Sequence, residues 1–236
     1  MMRYAVYFTP PQDDALTQTA GDWLGRDAFS GEKRETPSFN GLPAHEIAGL
    51  VGDPCRYGFH GTIVAPFQLA DGVGLAELEL SFERFCRQTA PFSIERLRVG
   101  QLGSFLALLP TAPEYQLAAF AADAVLHFAS VRAPLSEAEI ERRNPSGLTP
   151  RQAAYLRRHG YPYVMDEFRF HMTLTERLPA ETLSRVLPVL ESHFTPFTAR
   201  PFPVEGLALF VEPEPGAPFT VHSYRRLRPL ETRKSA

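Results

Sequence analysis

Cysteine is scarce in this sequence: Cys55 and Cys86 are the only two among 236 residues. So sparse a pair suggests a reducing compartment and two small, inert core residues, not a disulfide framework. Excess positive charge is missing as well. Lys and Arg number 24 against 27 Asp and Glu, for a formal net charge of -3 and a pI of about 6.2. A protein that wraps long nucleic acid carries a basic stripe on a basic domain, so that partner is not expected. A small phosphorylated ligand stays open, because it needs only a local cluster of donors. No apolar run approaches the roughly 20 residues of a membrane span. The opening MMRYAVYFTPP has too short an apolar stretch before its prolines to read as a signal peptide. A soluble, cytoplasmic protein with no membrane partner is the expectation; oligomeric state has no signature. Two histidines one helical turn apart, Cys-x-x-Cys, a Gly-rich triphosphate loop and a nucleophile elbow are all absent. The sequence therefore offers no metal or cofactor motif, although a histidine pair keeps metal binding as a rival reading.

What is present is a unit written twice. Apolar residues make up 44% of the chain, enough for a substantial core, and 22 prolines are scattered as punctuation. Arg3 to Thr9 reads as a strand, followed by Pro10, Pro11, an acidic pair and a helical segment from Ala15 to about Leu24. Ser104 to Leu109 reads likewise, followed by Pro110, Pro113, Glu114 and a helical segment from Tyr115 to about Val131. Carboxylates ahead of a helix suit its positive N-terminal end. Next come Gly58 to Val64 (GFHGTIV) and Arg169 to Thr175 (RFHMTLT), each leading into a helix, Leu75 to Gln88 and Glu181 to Phe194. Those helices are expected to end at Pro91-Phe92-Ser93 and Pro196-Phe197-Thr198, before hairpins over 94–109 and 204–227. The chain thus reads as a single domain, 1–236, of two lobes, about 3–103 and 104–228. Ser104 to Leu109 fits either lobe. Asp27 to Arg56 is Gly- and Pro-rich and reads mostly as loop. Residues 135–167 read as an inserted helical hairpin, with capping-box patterns at Ser136/Glu139 and Thr149/Gln152.

The repeated Phe-His-x-Thr carries the chemistry. In a strand, side chains two apart share a face and lie about 6.6 Å apart. Phe168, Phe170, Met172 and Leu174 then share one face, and Arg169, His171, Thr173 and Thr175 the other. In the first copy Tyr57, Phe59, Gly61 and Ile63 oppose Gly58, His60, Thr62 and Val64. One face suits packing under helices; the other offers imidazole and hydroxyl. An approximate two-fold would gather both pairs around one pocket. Two imidazoles, one neutral and one protonated, suit in-line displacement at phosphorus, and their usual pKa of about 6.5 makes both forms available. The hydroxyls of Thr62 and Thr173 can donate to phosphate oxygens. A third match, His193-Phe194-Thr195, stands at a helix end without strand alternation and reads as a dipole-favoured histidine.

These motifs, Phe59-His60-Gly61-Thr62-Ile63 and Phe170-His171-Met172-Thr173-Leu174, resemble the paired signature of the two-histidine (2H) phosphoesterase superfamily. The flanks Arg56-Tyr57-Gly58 and Ala65-Pro66-Phe67, with Glu167-Phe168-Arg169 and Glu176, are similar to its phosphonate-metabolism branch. The resemblance spans nearly the whole chain. It implies an α+β, bilobal fold with pseudo-two-fold symmetry, mainly antiparallel concave sheets flanking a central groove, and helices outside. It implies a metal-independent phosphodiesterase with His60 and His171 catalytic and Thr62 and Thr173 holding phosphate. Its substrates would be small cyclic or 2′,5′ phosphodiesters, a cyclic ribose phosphate being natural for that branch. A non-catalytic binder of a phosphorylated ligand in the same groove is the alternative.

Other residues carry weaker signals. Arg169 shares the parity of His171 and is a candidate for substrate binding. Gly58, its counterpart, would leave room for a sugar or base. Tyr4 and Tyr7 face opposite sides of the first strand, so one of them can line the groove. Tyr57, Tyr161 and Tyr163 are candidates for stacking. Arg142, Arg143, Arg151, Arg157 and Arg158 read mainly as a solvated helix face, and any that reach the cleft would favour a second phosphate. His222 reads as structural.

Overall fold

The structure is a computed structural model that describes residues 1–39, 41–143 and 147–228. The first unit runs β1 (Arg3–Phe8), α1 (Ala15–Leu24), α2 (Ala44–Ala48), α3 (Gly52–Tyr57), β2 (Gly61–Phe67), α4 (Leu75–Gln88), β3 (Phe92–Ile94) and β4 (Leu97–Leu102). The second runs β5 (Phe105–Pro110), α5 (Tyr115–His127), α6 (Glu137–Arg143), α7 (Pro150–His159), β6 (Met172–Thr173), α8 (Ala180–Thr198), β7 (Phe202–Val204), β8 (Gly206–Glu212) and β9 (Thr220–Arg226). Asp14 caps α1 by accepting from the Leu16 amide, and Gly25 closes it in the left-handed region at φ 74°. Glu114 precedes α5 but spends its carboxylate on the Glu95 amide, so the two helix starts are not chemically alike. Both expected capping boxes of the insertion are formed, and the turn at 144–146 lies outside the described residues.

Seven strands form one antiparallel sheet in the order β4-β5-β6-β2-β1-β8-β9. The class is α+β, as expected, and strands of both units share this sheet. Its register carries an approximate two-fold. Gly61 of the first motif pairs with Met172, its counterpart in the second. On either side Tyr7 pairs with Thr62 and Ala107 with Thr173. Beyond them the units exchange strands: β4 continues the sheet next to β5, and β8 next to β1. Ser104–Leu109 therefore belongs to both units, since β5 pairs with β4 on one side and β6 on the other. A separate ladder pairs β3 with β7, Ser93 opposite Pro203. This identifies Pro201-Phe202 as the true counterpart of Pro91-Phe92. Helix α8 does end at the expected Pro196-Phe197-Thr198, but it runs through Pro188, past Phe194 and through Pro196, and takes the tripeptide into its last turn.

The two faces of the sheet are unlike. Tyr4, Val6, Phe8, Leu207 and Leu209 enter the large core beneath α1, α4, α5 and α8. Ala5, Tyr7, Ala208 and Phe210 meet Ala28 and Phe219 on the other side. The register on β2 shifts twice, between the partners of Tyr4 and Val6 and between those of Val6 and Tyr7. Val6 pairs with Val64 and Tyr7 with Thr62, so an extra residue is accommodated there as a bulge. Ile63 and Val64 both go to the helix-side core, and Val64 leaves the face expected for it. The segment 27–56 also holds more structure than expected. It forms α2 and most of α3, whose short apolar contacts, Ile47, Leu50 and Val51, are buried in the main core.

Candidate functional site

His60 and Thr62 stand on the chain entering and running along β2, and His171 and Thr173 on the chain at β6. All four line one cavity of about 490 Å³, together with Tyr7, Tyr57, Phe105, Tyr161, Glu176 and Arg177. Phe59, Phe170 and Met172 are buried in the opposite core, which fixes the parity of the chain at both motifs. Trp23 of α1 donates to the Leu174 carbonyl at 2.7 Å, and the Glu176 amide donates to the Leu50 carbonyl. The first unit thereby holds the strand that carries the second histidine.

Each imidazole is oriented by its own backbone. His60 Nδ1 lies 2.8 Å from the Gly58 carbonyl, and His171 Nδ1 lies 2.8 Å from the Arg169 carbonyl. A carbonyl oxygen only accepts, so Nδ1 carries the proton in both rings. Each Nε2 is then the free base in the neutral ring, and the donor once the ring is protonated. Thr62 Oγ1 lies 3.3 Å from His60 Nε2 and can donate to it.

The supports of the two rings differ. Tyr7 stacks on His60 with centroids 3.9 Å apart and planes at 21°, whereas Phe105 tilts against His171 at 5.6 Å. Burial pushes His60 down to about 4; the Gly58 hydrogen bond opposes this and the neighbouring His171 adds to it. Burial also lowers His171, against the hydrogen bond to Arg169. Burial thus favours the neutral form of both rings in the free protein. Burial also pushes the Tyr7 hydroxyl well above its ordinary value, so it stays a neutral ring under the imidazole.

The remaining sequence candidates divide. Of the two tyrosines on β1, Tyr7 lines the cavity and Tyr4 is in the helix-side core. Tyr57 ends α3 and faces the cavity, not the apolar core side expected of it as a strand residue. It stacks on Phe219 at 5.1 Å beneath the Arg56 guanidinium, 4.2 Å from its centroid. Gly58 lines the cavity, but its φ of 76° and the 2.5 Å approach of a hypothetical Cβ to Ala28 Cβ give it a backbone role. It turns the chain so that its carbonyl meets His60, and the expectation of room for a sugar is replaced by that reason. Arg169 is exposed and lines an adjoining cavity of about 430 Å³, which shares Thr62, Phe105, Tyr161, His171 and Arg177 with the first. Tyr163 lines this adjoining cavity.

Arg177, at the edge of both cavities, was missed by sequence reasoning. Its signal was the continued alternation His171, Thr173, Thr175, Arg177. Thr175 itself is buried and structural, accepting from the Leu106 amide and donating to the Glu176 carbonyl. His193 sits inside α8, not at its end, with its ring 4.3 Å from that of Phe39. His222 bonds Glu79 at 2.7 Å on β9. Burial raises both thiols, Cys86 to about 12. Among the described residues, no three or more His, Cys, Asp or Glu side chains converge as a metal site would need. No described helix is long and apolar enough to cross a membrane.

The model of a family described as "Protein of unknown function (DUF1045)" matches residues 62–220, which include Thr62, His171 and Thr173. Two curated proteins named ribose 1,5-bisphosphate phosphokinase PhnN are similar. The one from Janthinobacterium sp. (strain Marseille) is 38% identical over 93% of this chain and 49% of its own length. The one from Laribacter hongkongensis (strain HLHK9) is 39% identical over 92% of this chain and 50% of its own. This chain therefore spans about half the length of the curated relatives it matches. Among solved structures, TT0787 of Thermus thermophilus aligns at 19% identity and a TM-score of 0.44, covering 97% of this chain and 99% of its own. E. coli LigT complexed with ATP aligns at 14% identity and a TM-score of 0.40, covering 96% and 98%.

Proposed function

This chain belongs to the DUF1045 family of proteins of unknown function, and from its cleft we propose that it is a phosphodiesterase working by two-histidine acid–base catalysis. The observation that carries the reading is the repeated arrangement of His60 with Thr62 and His171 with Thr173 around one cavity, each Nδ1 held by a carbonyl two residues back. One Nε2 takes a proton from water as the water oxygen bonds to phosphorus. The other, protonated, donates to the oxygen whose bond to phosphorus breaks. The products are a phosphate monoester and an alcohol. Thr62 and Thr173 donate to the non-bridging oxygens, and Arg177 and Arg169 stand at the edge to balance their charge. A bound phosphodiester anion favours the imidazolium that the free protein disfavours.

The substrate we favour is a cyclic phosphodiester of a ribose phosphate. The relatives' name concerns ribose 1,5-bisphosphate, and opening such a cyclic diester yields a sugar with two phosphate monoesters. The kinase activity in that name is not assigned to this chain, which has no Gly-x-x-x-x-Gly-Lys-Ser/Thr loop. A screen of cyclic and 2′,5′ phosphodiesters with chelator present tests the reading. His60→Ala and His171→Ala should each lower kcat by at least about 10²-fold, with unchanged circular dichroism. Full turnover in both variants would remove the mechanism. Activity lost to chelator and restored by a divalent ion would replace it with metal catalysis. Binding without turnover, seen by phosphorus NMR, would make the groove a receptor site.

A further inference from the structure

A third cavity, of about 290 Å³, opens beside the histidine cavity and shares Ala65 and Pro66 of β2 with it. Five arginines line it: Arg3, Arg132, Arg143, Arg157 and Arg158. Arg3 is paired with Glu212, and Arg157 lies 3.4 Å from Glu137. The carboxylate in the lining, Glu139, is committed to the backbone and hydroxyl of Ser136. Arg132, Arg143 and Arg158 have no carboxylate within ion-pair distance among the described residues. Arg132 reaches the His159 and Val125 carbonyls, while its buried Nε has no partner, and Arg143 reaches the Gly160 carbonyl. Arg158 is exposed, Arg132 and Arg143 are half-buried, and of those two only Arg143 feels the charge of Glu139, so an oxyanion here would offset the cost of drawing Arg132 and Arg143 out of water. Burial lowers the pKa of both Arg132 and Arg143.

Resting on the phosphodiesterase reading, we propose that this cavity is the site for a second phosphate, a terminal monoester on the same substrate whose diester lies between His60 and His171. Ala65 and Pro66, which follow Thr62 on β2, form the wall common to both cavities, so one small molecule can reach from one into the other. Arg143, Arg157 and Arg158 come from α6 and α7, which interrupt the repeat. The insertion thus supplies selection for bisphosphorylated sugars without touching the reacting phosphorus.

The test compares kcat/KM for a ribose cyclic phosphate with and without a 5-phosphate. Wild type should prefer the 5-phosphorylated diester by at least about tenfold, the worth of one charge-assisted contact. Arg143→Gln and Arg158→Gln should each shrink that ratio towards one. Arg151→Gln, on α7 but outside the cavity and paired with Asp166, should keep it. Binding of ribose 5-phosphate by calorimetry separates the two claims. Binding lost in Arg143→Gln and Arg158→Gln, with neither diester turned over, supports the phosphate site and sinks the hydrolase reading. Turnover with a ratio near one, and ribose 5-phosphate binding equal in all four proteins, overturns this inference and leaves the hydrolase standing.

Discussion

At the scale of single residues, the site turns on a tautomer. Histidine offers two nitrogens, and a carbonyl at Nδ1 decides which of them is left free. Gly58 and Arg169 supply that carbonyl to His60 and His171 in the same way, so the two rings present the same atom. Their environments then separate them: His60 lies under Tyr7 and is held at about 4, and His171 is lowered against Phe105. The pH profile follows from the sign of these shifts. If the proposed acid–base pair operates with His60 as base, kcat/KM of the free protein should rise as His60 loses its proton near pH 4. It falls as the acid loses its proton below the ordinary 6.5, because burial lowers both rings. The expected optimum of kcat/KM therefore lies between about 4 and 6.5, acid of the usual histidine pair. The kcat profile should move to higher pH, since bound phosphodiester favours imidazolium. Initial rates from pH 3.5 to 9 check this, and a kcat/KM optimum near 8 would refute the shifts.

At the scale of elements, the motif strands meet at one crowded point. Gly61 pairs with Met172 across the pseudo-two-fold, and a Cβ there would lie 2.5 and 2.8 Å from the Phe170 ring. Phe170 is itself in the core and also packs on Phe8 at 5.9 Å, so it cannot swing away freely. Gly61→Ala should lower stability by about 1–3 kcal/mol, as overpacking does, and reduce turnover as β2 and β6 separate. Urea denaturation with the diester assay measures both; an unchanged midpoint would show that Phe170 yields easily. The helix bounds at this scale were legible in the sequence. Ala15–Leu24 follows from its Asp14 cap and the Gly25 stop, and Leu75–Gln88 from apolar spacing. The end of α8 was legible to within its last turn: Pro196 reads as a stop, and the helix continues to Thr198 with Phe194 buried and Phe197 half-buried in the core.

At the scale of the whole molecule, the two units cannot be pulled apart along the chain. The first gives β4 to an edge built on β5, and the second gives β8 to an edge built on β1. Fully buried Glu212 of β8 joins Arg3 of β1 and Arg56 of α3. A fragment of residues 1–103 would leave β1 without β8 and expose the core-facing side chains of both. Expressed alone, it should show no cooperative thermal transition; mixed with 104–236, it should recover one together with diester hydrolysis. A sharp transition for the isolated fragment would contradict this interdependence.

Chain-local information determined the duplicated motif, the face carrying histidine and hydroxyl, and most element bounds, because alternation, capping and helix spacing are set by residues a few positions apart. Tertiary structure decided what stands around that face. Tyr7 under His60, Tyr57 over the cavity, Arg177 at its edge and the arginines of the insertion come from segments up to about 170 positions apart. Which of them meet depends on sheet register, the bulge at Ile63 and Val64, and the exchanged edge strands. Those are settled by burying one shared core, a sum over distant contacts that no short window of sequence contains.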